Sequence, residues 1–213
     1  MNISKIIGST ALTLAATAFL APASASALIE GELTVGKRNG TFKQSGQSGK
    51  SLASSSLQLA GHLDPIPLIP VGFGLRAISE TYDATVATHG VKSLTSTAIV
   101  PEVVAWIPLP LMGIKPFARV GYTLISAYKG KTELSVLGAT VSGDVAYKST
   151  GMRMAAGVVW DVLPFISLTA AFENSTETLS MTEGNIGGVD IKSAAKDIDF
   201  TSTAILIGAT VGI

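Results

Sequence analysis

From Tyr147 to Glu173 the chain alternates in steps of two. Met152, Met154, Ala156, Val158 and Trp160 fall on one side, and Gly151, Arg153, Ala155, Gly157 and Val159 on the other. After a break at Asp161-Val162-Leu163-Pro164, Ile166, Leu168, Ala170 and Phe172 alternate with Ser167, Thr169, Ala171 and Glu173. Period two on both sides of a tight turn specifies a β-hairpin. Its apolar face is complete, whereas the other is small or polar with one charge per strand. That is the pattern of a hairpin with lipid outside and a polar interior.

Composition supports the same reading. Charged residues make up 14% of the chain, against roughly 25% in ordinary globular domains. Beyond the first 27 residues there is no uninterrupted apolar run of the ~18 residues a spanning helix needs. The nearest approach, residues 99–114, is broken by Glu102 and by Pro101, Pro108 and Pro110. Lipid satisfies no backbone hydrogen bonds, so a strand-built chain can cross it only as a closed barrel.

Residues 1–27 read as a secretory signal peptide. Lys5 is the positive start, residues 6–20 are largely apolar, and small residues with two overlapping A-x-A sites end at Ala27. The remaining stretch, 28–213, is the size of one domain and carries 14 basic and 15 acidic residues. Near-neutral charge with no basic cluster argues against nucleic acid as a partner. The absence of cysteine excludes disulfides and thiolate metal sites.

Alternation continues along the chain. Strands are expected at about 29–37, 53–62, 69–82, 95–107, 115–128, the two arms of the opening hairpin, and 200–213. Pro101 demands a bulge or a missing ladder bond in the fourth. Short proline-bearing turns near 65, 109 and 163 alternate with long polar connections at 38–50, 83–94, 129–144 and 176–197. The expectation is an all-β, eight-stranded antiparallel up-and-down transmembrane barrel, with short periplasmic turns and long external loops. A ten-stranded variant, with 133–141 as an extra hairpin arm, stays open. An even strand number places both termini on the periplasmic side. Trp106 and Trp160 sit at short-turn ends, and Tyr82, Tyr128 and Tyr147 at long-loop ends. Together they are expected to form two interface girdles.

These features resemble the small eight-stranded outer-membrane β-barrels, the class of OmpA transmembrane domains, OmpX and OmpW. The resemblance spans 28–213 and rests on pattern. In that class the last strand usually ends in an aromatic residue read by the assembly machinery; here Val211-Gly212-Ile213 keeps the alternation but ends in isoleucine. The resemblance implies a monomer in the bacterial outer membrane, inserted by that machinery, surrounded by lipid and lipopolysaccharide, and without a cofactor.

Candidate chemistry lies on the inward face. Arg76, Arg119 and Arg153 share that register with Glu30, Glu32, Glu80, Glu102 and Glu173, while Arg38 falls just past the first strand. An arginine facing lipid at mid-bilayer would cost about 2–4 kcal/mol, so inward placement has an energetic cause. Turn positions set Arg153 opposite Glu173 and Glu102 beside Arg119, which predicts a buried Arg–Glu network. An eight-stranded interior is only wide enough for side chains to fill it. The expected role is therefore structural or surface-interactive, with a filled, charged lumen. The alternative is a narrow channel or a transporter of small or hydrophobic molecules. No enzyme is expected, because His62 and His89 are the only histidines and lack a nucleophile motif. No metal site is expected either, because Asp190, Asp197 and Asp199 do not fit calcium-loop spacing.

Overall fold

The computed structural model describes residues 28–44, 50–64, 70–83, 91–107, 113–136, 139–163, 165–192 and 196–212. Residues 1–27, where a signal peptide is expected, lie outside them, as do His89 and Ile213. Ten strands appear in order: β1 (Leu28–Gln44), β2 (Lys50–Asp64), β3 (Val71–Tyr82), β4 (Val91–Trp106), β5 (Ile114–Thr123), β6 (Ile125–Val136), β7 (Ala139–Leu163), β8 (Ile166–Ile186), β9 (Val189–Asp190) and β10 (Ile198–Gly212). All pairings are antiparallel, and β1 pairs with both β2 and β10 while β7 pairs with β8, so the sheet closes. β5 and β6 together occupy one position, and β9 only folds back on β8. The result is a ring of eight, and residues 133–136 and 139–141 extend the β6–β7 pairing without adding to the ring.

A cross-strand row shows the stagger. It runs from Ala156 through Phe172, Ile205, Lys37, Ser55, Thr81, Thr95 and Lys129, and returns to β7 at Ala146. Closure thus displaces the row ten residues along β7, the offset that tilts strands in a closed barrel.

Alternation decides what faces out. Leu33, Val35, Leu57, Phe73, Leu75, Val158, Trp160, Leu168, Phe172, Ile205 and Ile207 are all exposed. In a water-soluble fold such a continuous apolar exterior would be an anomaly. The band stops sharply towards the long-connection end, where the outward positions become Lys37, Ser79, Thr81, Thr95, Thr150, Asn174 and Thr201.

The strands run further than the alternation alone indicates. β7 and β8 have 25 and 21 residues, about twice the 9–11 that cross a bilayer. Residues 176–186, expected in a loop, therefore continue β8. The β8–β9 turn is made by Gly187 and Gly188, with φ of 61° and 85°. Two successive left-handed residues suit a two-residue hairpin turn, and there glycine carries no steric penalty.

Pro101 has the expected effect on its neighbour. Glu102 faces Gly121, but Ile99 faces Ile125, so one extra residue enters the β5–β6 position at Leu124. Leu124 and Ile125 both point outwards, at 61% and 67% exposure. Inward positions are odd-numbered before the bulge (Phe117, Arg119, Thr123) and even-numbered after it (Tyr128, Gly130, Thr132).

Candidate functional site

The interior is built from side chains too long and too charged to be an ordinary core. Four arginines, Arg38, Arg76, Arg119 and Arg153, are each 5% exposed or less, as are Glu80, Glu173, Glu177 and Glu32, with Glu102 at 6%. Each reaches the interior because it occupies an inward position of its strand. Burial of so many charges is tolerable only with close pairing and satisfied hydrogen bonds.

Two linked groups result. Nearer the short turns, Arg76 donates twice to Glu102, from Nε to Oε2 at 3.0 Å and from Nη2 to Oε1 at 2.9 Å. Its Nη1 also donates to Gln58 Oε1 at 2.8 Å and lies 3.2 Å from Glu32. His62 Nε2 sits 2.7 Å from Glu102 Oε1, with the Trp106 ring edge-on to the imidazole. Arg119 donates to Glu32 at 2.9 Å and lies over the Phe117 ring, 5.3 Å from its centroid.

Nearer the long connections, Arg38 pairs with Glu80 at 2.6 Å and with Glu173, and donates to Ser202 Oγ at 2.7 Å. Arg153 pairs with Glu177 at 2.6 Å and approaches Glu173 and Glu80 at 3.4 and 3.6 Å. Glu177 accepts further bonds from Tyr128 Oη at 3.1 Å and Ser149 Oγ at 2.7 Å. Arg119 to Glu173, at 3.7 Å, joins the two groups.

These contacts cross the ring. β1 and β5 stand four positions apart among eight, and Arg119 of β5 reaches Glu32 of β1. Arg153 of β7 likewise reaches towards Glu80 of β3. Above the ions, Tyr82, Leu94, Tyr128, Leu179 and Phe200 form a buried layer with Phe42, Leu52, Tyr147 and Ile198 packed against it. Towards the short turns, Val104, Phe117, Val159, Ala171, Ala204 and Leu206 fill one side, with Trp106 against them.

The expected network residues Glu32, Arg76, Glu80, Glu102, Arg119, Arg153 and Glu173 all meet here. Glu30 is half-buried near the start of β1. The pairings differ from those expected. Arg153 faces Ser175 and Glu102 faces Gly121, with Arg119 opposite Val104. Val162 and Leu163 belong to β7, so the turn centre lies about one residue later than the break suggests. Moving a centre by one residue moves each partner by two, which preserves the face but changes the neighbour. Long side chains span that offset, so Arg153 still meets Glu173.

Three further residues take part. Arg38, expected just past the first strand, lies within β1, and Glu177, expected in a long connection, lies within β8. His62, which the sequence offers only as a histidine without a nucleophile motif, joins through Glu102. Continuing the inward alternation from Thr34 and Gly36, from Glu173 and Ser175, and from Gln58 and Ala60 would have found all three.

The girdle assignment needs correction. Trp160 is exposed at 53%, but Tyr82 and Tyr128 are 4% and 0% exposed and Trp106 packs inwards. Tyr82 shares the parity of Arg76 and Glu80, and the Leu124 bulge turns Tyr128 inwards. Tyr147 is partly buried against the same interior layer. Among the described residues no acidic or histidine cluster is placed to hold a metal ion.

A closed eight-position antiparallel ring, apolar outside and ionised within, defines the fold of the small outer-membrane β-barrels. No protein-family profile and no curated protein matches the sequence. Among solved structures, neisserial surface protein A (NspA) aligns over 88% of this chain and 97% of its own, with 11% identity and a TM-score of 0.55. Ail, the attachment invasion locus protein of Yersinia pestis, aligns over 85% and 97%, with 12% identity and a TM-score of 0.46. OprG from Pseudomonas aeruginosa aligns over 88% and 95%, with 9% identity and a TM-score of 0.42. Of these three, the neisserial protein carries the fold assignment.

Proposed function

We propose that the protein is a monomeric integral barrel of the bacterial outer membrane, non-enzymatic, with a side-chain-filled, charged lumen and a structural or surface-interaction role. Residues 1–27 would be its export signal, both termini would be periplasmic, and the assembly machinery would insert it. The single observation that supports a plug over a channel is the Arg119–Glu32 pair at 2.9 Å, made between strands on opposite sides of the ring. The aromatic layer above it adds a second barrier to water and ions.

The test is single-channel recording in planar bilayers, using protein whose folding is verified by heat-modifiable migration. No resolvable conductance is expected. Steady conductance from the folded wild type would overturn the plug and favour the narrow channel or transporter. A surface epitope inserted between β3 and β4 should be accessible on whole cells; accessibility only after the outer membrane is opened would reverse the orientation.

A further inference from the structure

The two ends of the apolar exterior are unlike. Towards the long connections it gives way to lysine, serine and threonine. Towards the short turns it does not stop: Leu63, Ile107, Val162, Leu163 and Phe165 are 49–62% exposed at the rim itself. The connecting sequence agrees, because residues 65–70, 107–114 and 162–166 contain no charged, amide or hydroxyl side chain. A turn in water is ordinarily built from Gly, Pro, Asn, Asp and Ser, and of those only glycine and proline occur here. Six of the nine prolines, Pro65, Pro67, Pro70, Pro108, Pro110 and Pro164, lie in these three stretches.

Height gives the rim a reason to be apolar. On β1, β2, β3, β8 and β10 the outward run without a polar side chain is short, as in Leu57–Leu63 on β2 and Ile166–Phe172 on β8. Such a run covers about 20 Å of strand, and a tilt of 35–45° leaves about 15 Å of height, against an apolar band about 25 Å tall in outer-membrane barrels. The runs on β4 and β7, Ile99–Ile107 and Met152–Val162, are longer, but most of the circumference falls short. The long-connection end is polar, so only the short-turn end can make up the difference.

Backbone groups at this rim already have partners. The N–H groups of Trp106, Ile107, Asp161 and Gly212 donate to the carbonyls of Pro70, Pro116, Gly113 and Phe165 at 2.7–3.2 Å, and a proline nitrogen has no donor to satisfy. Lys115 and Asp161, which flank two of the turns, pair with each other at 3.0 Å. Few free donors and a paired charge are what a non-aqueous setting demands of a turn. Trp160, 53% exposed and close to Val162, has a side chain suited to a membrane interface. Building on the outer-membrane reading, we infer that the short-turn rim anchors the barrel in the inner leaflet. Ile107, Val162, Leu163 and Phe165 sit at the headgroup–acyl boundary of its glycerophospholipids, not in periplasmic water. Continuity with the lipid-facing wall favours this occupant over a periplasmic protein.

The chain has no cysteine, so single cysteines report position cleanly. I107C, V162C, the mid-wall variant L59C and the polar-end variant K131C are folded into dioleoyl phosphatidylglycerol vesicles, with a charged maleimide supplied on both faces. I107C and V162C should react at least tenfold more slowly than K131C. In thinner dilauroyl vesicles the rim should emerge, and both rates should rise at least threefold while L59C stays protected. Rim cysteines that react as fast as K131C in dioleoyl vesicles would overturn the anchor, as would protection that ignores bilayer thickness. Fast reaction in pure lipid with protection only in whole envelopes would also overturn it, in favour of a protein cover. Fast reaction of L59C, or loss of heat-modifiable migration in the wild type, would instead show that the membrane-barrel reading itself had failed.

Discussion

Arg153 is the sharpest probe of the interior. It is 4% exposed and stands among Glu177, Glu173 and Glu80 at 2.6, 3.4 and 3.6 Å. Arg153→Met keeps an apolar stem of similar length but removes the charge. Glu173 and Glu80 keep Arg38 as a partner, whereas Glu177 keeps only hydroxyls, from Tyr128, Ser149 and Thr123. Leaving one buried carboxylate without its cation costs about 3–5 kcal/mol. Glu177→Gln should cost less, about 1–3 kcal/mol, because Arg153 retains two carboxylates nearby. The double variant should be more stable than the sum of the two losses predicts, by about 0.5–3 kcal/mol. Urea unfolding in detergent, followed by tryptophan fluorescence, reads these as midpoint shifts at constant slope. If Arg153→Met stays within about 0.5 kcal/mol of wild type while opening a conductance, the network is a gate and the plug argument is wrong.

Tyr128→Phe removes the hydroxyl that donates to Glu177 and should lower stability by about 1.5–3 kcal/mol, the range for a bond to a charged group; the same urea titration measures it. On the exterior, Val158→Arg should cost about 2–4 kcal/mol, whereas Thr150→Arg, at the edge of the apolar band, should cost about 0–1 kcal/mol. Folding titrations into lipid vesicles compare the two, and equal costs would contradict the proposed bilayer position.

Much of the site was legible because a strand has a strict period of two. Arg76, Arg119 and Arg153 share parity with small or polar neighbours, so their faces follow from counting alone. Partners were less legible, because a pairing depends on the turn centre, and Val162 and Leu163 give no sign in the sequence that they extend β7. Tyr128 shows the same limit more severely: a bulge at Leu124 reverses parity beyond it, and Pro101, which accounts for it, lies on the neighbouring strand. Polar residues such as Ser175 and Glu177 resemble loop residues until the ring supplies an interior for them.

What the sequence determined by itself is which side chains avoid lipid. Apolar and polar positions separate by parity, and the transfer cost of a charge is large enough that no other placement competes. The tertiary structure decided which charges meet. Closing eight strands with a ten-residue stagger brings β1 opposite β5 and β3 towards β7, so Arg119 finds Glu32 and Arg153 finds Glu80. Those contacts join residues 87 and 73 positions apart. No local period carries that information, because it resides in the circumference and offset of the closed ring.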